Sequence, residues 1–301
     1  MNHAPTSTPF PLVKPAIEPS WLDSSLYPFT PRRFRTPEGE LSYLDEGEGP
    51  VILFVHGTPS WSFEWRDVIQ EMRKSARCIA VDHLGFGLSD KPQTKLAPQD
   101  HARRLLALVE HLDLRDITLV VHDFGGPIGL PLALEGGRVG RVLMCNTWMW
   151  DQSADPQLAR IDSFVRSWLG RLLYKTFNFS PRVILPSALG KKTKLTKAQH
   201  RHYMAPFDAR ADREGPYALA LALKGESAYY ASLWNQRGAL QKLPVHLVWG
   251  MQDPAFKPEL LTRWQHALPH AEATKLEGVG HFPAEEGPSA VVTALQALMR
   301  A

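Results

Sequence analysis

Four segments of the 301-residue chain each carry an apolar run into a turn, and together they hold the residues best suited to chemistry. In VVHDFGGPIG (120–129) the run enters a Gly-Gly pair and then helix-like sequence. This is the shape of a nucleophile elbow, a strained turn that presents one side chain at the C-terminal end of a strand. Asp123 stands at the tip, and Gly125 supplies the small residue that the turn needs two places on. Two places before the tip, where a small residue is usual, the chain has Val121. VILFVHGTPSWSFEWR (51–66) ends its run in His56-Gly57, so the backbone N–H groups of Thr58 and Phe124 are expected to form an oxyanion hole. VWGMQDPAF (248–256) carries Asp253 and EGVGHFPAEE (277–286) carries His281.

A carboxylate at the elbow selects the reaction. Attack by Asp123 on a carboxylic ester or amide would give a mixed anhydride, which disfavours lipase, esterase and peptidase chemistry. Attack on a saturated carbon instead expels a leaving group and leaves an alkyl ester on Asp123. His281, oriented by Asp253, would then activate water against the Asp123 carbonyl carbon, with the oxyanion hole holding the tetrahedral intermediate. Two leaving groups make different demands. A halide needs desolvated hydrogen-bond donors and no proton, whereas an epoxide oxygen must be protonated, usually by paired phenols. The aromatic residues Trp61, Phe63 and Trp65 are read as packing, and His122, beside Asp123, as structural and on the opposite side of its strand.

The elements that must position these residues follow from hydrophobic patterning. Candidate strands are 40–45, 51–55, 77–81, 116–121, 141–146, 244–249 and 271–276, with helices over 60–74, 98–112, 126–136, 257–267 and 287–300. Runs such as VILFV and ITLVV are apolar throughout, as suits parallel strands buried on both faces. The alternation predicts an α/β fold, a mostly parallel central sheet flanked by helices. It stops over 147–235, where helical spacing with aromatic and basic residues predicts an inserted helical cap, and it resumes in PVHLVWG (244–250). The expected organisation is an extended, Pro-rich arm over 1–25, a core over 26–146 and 236–301, and the cap over 147–235.

Composition excludes several classes. With 44% hydrophobic and 22% charged residues the chain is globular and not disordered. No run approaches the roughly eighteen apolar residues that span a bilayer, so neither a spanning segment nor a membrane partner is expected. Thirty-four basic against 31 acidic residues is too even for phosphate contacts to dominate binding, so no nucleic acid is expected either. The basic cluster KKTKLTK (191–197) is read as a solvated helix start. Cys78 and Cys145 lie in apolar runs and are read as buried reduced thiols, and the N-terminus lacks the charge and apolar pattern of a signal peptide. Both point to a cytoplasmic protein. With no ligand spacing and no phosphate loop, neither a metal nor an organic cofactor is expected. The expected partners are a small apolar substrate and water, with a monomer and a homo-oligomer equally compatible.

The order carboxylate, acid, histidine, each just beyond a strand, is that of the α/β-hydrolase family. Over residues 26–298 the chain resembles the haloalkane dehalogenases of that superfamily, in HGTPSWSFEWR, DHLGFGLSDKP (82–92), LDLRDITLVVHDFGG (112–126), LTKAQHRHYMAPF (195–207), GMQDPAF and GVGHFP. The resemblance implies an α/β-hydrolase fold and carbon–halogen cleavage by the triad Asp123, His281 and Asp253. The family's other place for the acid holds Asn146 and Thr147 here. Two positions depart from the family pattern. Its halide-binding Trp after the nucleophile is Phe124 and its Asn after His-Gly is Thr58. Losing a donor to a buried anion costs about 1.5–3 kcal/mol. Thr58 is left as a weak halide donor, and cap indoles, Trp148 and Trp150 first and then Trp168 and Trp234, are candidates to supply another. The resemblance also implies an apolar groove lined by Phe124, Pro206, Phe207, Ala255, Phe256 and Phe282. The alternative is an epoxide hydrolase of the same fold, which would draw two phenols from Tyr174, Tyr203, Tyr217, Tyr229 and Tyr230. A non-hydrolytic binding protein and a light-emitting oxygenase on this scaffold are weaker alternatives.

Overall fold

The computed structural model describes residues 19–300, so most of the arm expected over 1–25 lies outside them. Eight strands form one sheet: β1 (Arg32–Thr36), β2 (Gly39–Glu46), β3 (Val51–Val55), β4 (Arg77–Asp82), β5 (Ile117–Asp123), β6 (Val139–Thr147), β7 (Val245–Gly250) and β8 (Glu272–Leu276). Their order is β1-β2-β4-β3-β5-β6-β7-β8, with β2 antiparallel to both its neighbours β1 and β4 and the remaining pairings parallel. This is the mostly parallel sheet expected from the apolar runs, in the α/β-hydrolase arrangement that the resemblance implies. β1 was not expected, because RRFRT carries three arginines. Those charges suit an edge strand that pairs on one side only.

Successive residues of a strand face opposite sides, so the continuous runs feed two cores. Leu53, Val55, Leu119 and Val121 pack beneath α2 (Pro98–His111) and α3 (Gly125–Glu135). Ile52, Phe54 and Val120 pack beneath α1 (Arg66–Met72) and α12 (Pro288–Leu298), the last helix of the chain. Each such side chain removed from water contributes about 1.5–3 kcal/mol, which is why the strands tolerate no polar alternation. Trp61, Phe63 and Trp65 are fully buried among these residues. Both cysteines are buried, and burial pushes the Cys78 thiol up to about 12.

Between β6 and β7 the chain forms helices: α4 (Pro156–Arg166), α5 (Trp168–Phe177), α6 (Leu185–Ala188), α7 (Lys197–Met204), α8 (Glu214–Gly225) and α9 (Ser227–Asn235). Two parallel neighbours need a crossover, and α9 supplies it by packing on α3, where the Tyr229 hydroxyl donates to the Pro127 carbonyl at 2.9 Å. The basic cluster is exposed at its lysines, with Thr196 capping α7. Beyond β7 come α10 (Pro258–Ala267) and α11 (Pro283–Glu286), ahead of α12. α11 carries Glu285, a hub between core and insertion. Arg66 donates to it through both guanidinium nitrogens at 2.5 and 2.7 Å, and the Tyr203 hydroxyl of α7 donates at 2.5 Å.

Candidate active site

Asp123 ends β5 with φ of 51°, the left-handed region that a non-glycine residue occupies only under strain. Two glycines permit the turn. A Cβ on Gly125 would lie 2.1 Å from the Val55 carbonyl oxygen, and one on Gly57 would lie 2.1 Å from Asp123 Oδ1. The Thr58 backbone N–H donates to that same Oδ1 at 2.8 Å. Phe124 is the N-cap of α3, so its amide has no helical acceptor and the positive end of the helix faces the carboxylate.

His281 lies in the turn between β8 and α11, with Nε2 at 3.5 Å from Asp123 Oδ2 and Nδ1 at 2.7 Å from Asp253 Oδ2. Asp253 is fixed from three sides beyond that contact. The amides of Ala255 and Phe256 donate to Oδ1 at 2.7 and 2.9 Å, and Asn146 Nδ2 donates to Oδ2 at 2.8 Å. Asn146 in turn accepts from the Gly250 amide at 2.8 Å. The position that lacks the family's other acid therefore orients the acid that is present. Burial by itself would lower the His281 pKa, but the carboxylates of Asp253 and Asp123 outweigh it and raise the group to about 10. Burial opposes ionisation of Asp253 as well, and the His281 charge with the two amides holds it below the ordinary carboxylate range.

Two features escaped the sequence reading. His122 lies under the site, its Nε2 at 2.7 Å from the His281 carbonyl oxygen and its Nδ1 at 3.1 Å from Glu64. Glu64 also accepts from Ser60, and all three are buried. The signal was a lone acid inside SWSFEW, where every neighbour packs inward. The second is Glu286, which accepts from the amides of Gly190 and Gly280 at 2.7 and 3.0 Å, while the Ala188 carbonyl accepts from the His281 amide at 2.8 Å. The turn after α6 is thus tied to the turn that holds His281.

A cavity of about 610 Å³ opens over Asp123, and Thr58, Phe124, Trp150, Ala255, Phe256 and Phe282 stand on its wall. Three expected wall residues are not there. Phe207 is fully buried edge-on against Phe86, and Pro206 precedes it in the same buried turn, so both fill the base of the insertion. Trp148 lies one layer behind the wall, its ring edge-on to Phe124 at 4.8 Å, and its indole N–H finds no acceptor among the described residues. Trp150, two residues on, does reach the cavity, whereas Trp234 packs on Trp150 and Trp168 is exposed. Thr58 Oγ1 is buried with no partner among the described residues. The tyrosines are spent elsewhere: Tyr203 on Glu285, Tyr217 on the Val165 carbonyl, Tyr229 on Pro127 and Tyr230 on the Ala222 carbonyl, leaving Tyr174 alone on the wall.

Comparison with known proteins bears on the fold and the family. The alpha/beta hydrolase fold family matches residues 50–288. Haloalkane dehalogenase 2 of Mycobacterium tuberculosis is 34% identical over 279 residues, spanning 91% of this chain and 96% of that protein. Cis-3-alkyl-4-alkyloxetan-2-one decarboxylase of Shewanella oneidensis is 32% identical over 289 residues, spanning 91% and 90%. Among solved structures, the haloalkane dehalogenase DatA from Agrobacterium tumefaciens superposes with a TM-score of 0.80 at 24% identity, covering 93% of this chain and 99% of that one, a likeness of fold.

Proposed function

This chain belongs to the haloalkane dehalogenase family of α/β-hydrolases, and we propose that it cleaves carbon–halogen bonds of haloalkanes by displacement on Asp123, giving alcohol and halide. The observation that carries the reading is the carboxylate itself. Thr58 N–H holds Oδ1, while Oδ2 has no backbone donor among the described residues and faces His281. Oδ2 attacks the halogen-bearing carbon, a carbon–oxygen bond forms, and halide departs with the bonding pair. The alkyl ester has lost the negative charge of Asp123, one of the causes that raise His281. His281 therefore gives up its own proton to solvent more readily after the first step and stands as the neutral imidazole that can accept one. It takes a proton from water, which adds to the ester carbonyl, and negative charge on Oδ1 meets the N–H groups of Thr58 and Phe124. Collapse releases the alcohol and restores the carboxylate, and the proton leaves from His281. Residues 147–235 act on this reading as the cap that selects the alkyl chain over a core of 26–146 and 236–301.

A second reading draws on the lack of a side-chain N–H at Phe124 and on the decarboxylase relative. An oxetan-2-one presents a ring carbon bonded to oxygen, and Asp123 attack there would free a carboxylate in place of a halide. Loss of carbon dioxide would then form the carbon–carbon double bond and expel Asp123. Epoxide opening lacks support because four of the five cap phenols are committed to other acceptors.

The test is a His281→Gln variant mixed with bromoalkanes and, separately, with a cis-3,4-dialkyl oxetan-2-one. Dehalogenation predicts one equivalent of bromide and an enzyme heavier by one alkyl group, an adduct absent from Asp123→Asn. Alkene and carbon dioxide from the lactone, without bromide from any haloalkane, would overturn it in favour of the second reading.

A further inference from the structure

Among the described residues, every exposed large apolar side chain falls within one short stretch. Ile161 and Phe164 lie on α4, Trp168, Leu169, Leu172 and Phe177 on α5, and Val183 in the turn that follows. Trp168 is 78% exposed. An indole this open contributes nothing to packing, yet it is the side chain most favoured where water meets lipid headgroups.

Charge is just as localised. The chain as a whole is nearly balanced, but residues 156–197 carry nine lysines and arginines and a single acid, Asp162. Asp162 is taken by Arg166, and Lys175 pairs with Glu214 from outside the stretch. Arg160, Arg171, Arg182, Lys191, Lys192 and Lys194 have no ion pair among the described residues.

From exposed apolar side chains and unpaired basic residues on one stretch of chain we infer that α4 and α5 seat the protein on a bilayer surface bearing anionic headgroups. The apolar side chains enter the headgroup boundary and the unpaired lysines and arginines meet the lipid phosphates and carboxylates. No helix is long and apolar enough to cross a membrane among the described residues, so the contact is peripheral. This revises the expectation of no membrane partner. A second copy on the same face would set basic residues against basic residues across a two-fold axis, which the charge disfavours. Ile161 and Phe164 belong both to this face and to the cavity wall. Resting on the displacement reading above, the consequence is that lipid-dissolved alkyl substrates enter the cavity directly from the bilayer.

The experiment is cosedimentation of the full chain with phosphatidylcholine vesicles, with and without phosphatidylserine. Binding is expected to the mixed vesicles, to fall at least about tenfold without the anionic lipid, and to weaken as salt rises. Trp168→Ser with Leu172→Ser should abolish it, and Arg171→Glu with Lys192→Glu should reduce it by about tenfold or more. Turnover of a water-soluble bromoalkane should be unchanged in both pairs, so loss of docking and loss of the reaction are read separately. Equal, weak binding to both vesicle types would overturn the inference. A dimer in sedimentation velocity that Trp168→Ser dissociates would overturn it in favour of self-association.

Discussion

On the displacement reading, Phe124 decides how well a departing anion is received, and its surroundings make the question testable. Its ring presents only carbon to the cavity, while the unpaired Thr58 Oγ1 stands on the same wall. Phe124→Trp should place an indole N–H beside Asp123 and raise bromide release by about tenfold or more, read as initial rates on bromoalkanes. An unchanged rate in a folded variant would mean that the leaving group is not a halide. The base gives a second prediction. Because the folded pKa of His281 lies at about 10 against 6.5 for the free side chain, its protonated form contributes stability in full below about pH 6.5, and that contribution is lost as pH rises toward 10. The difference in melting temperature between wild type and His281→Gln should therefore narrow over that window. A constant difference would contradict the charge coupling to Asp253 and Asp123. The three triad positions were legible because each follows a recognisable strand. Which tryptophan reaches the cavity was not, since Trp148 and Trp150 differ only by where the chain turns after β6.

At the scale of elements, the insertion is held to the core through Glu285 and Glu286. Arg66 and Glu285 are both buried, so removing the carboxylate leaves the guanidinium with the Phe63 carbonyl and the partly exposed Asp67 carboxylate as its remaining partners. Glu285→Ala should lower unfolding free energy by about 3–5 kcal/mol, and Tyr203→Phe by about 1–2 kcal/mol, both read by denaturant titration. A loss near zero for the first variant would mean that solvent reaches Arg66. Neither acid announced itself in PAEEGP, because partners at Arg66, Gly190 and Tyr203 come from sequence separations that patterning does not report. The central strands were legible for the opposite reason. Burial on both faces writes VILFV and ITLVV as unbroken apolar runs, whereas β1 at the sheet edge writes RRFRT and passes for a loop. Phe207 was placed on the groove by resemblance alone. In the fold it meets Phe86, from the loop after β4, and closes the base of the insertion.

For the molecule as a whole, the insertion and the base share a fastening. The amide of His281 donates to the carbonyl of Ala188, at the end of α6, and Glu286 fastens the next turn on either side. An opening that carries α6 away from the sheet must first release that amide to solvent. Deuterium uptake at His281 then becomes a clock for such openings, slow while the fastening holds and no faster than the rate at which it parts. A ligand that fills the cavity and bridges its walls should lengthen the reading, and Glu286→Gln should shorten it. On the displacement reading, the residue that deprotonates water would thus also report how often the cavity opens to its substrate.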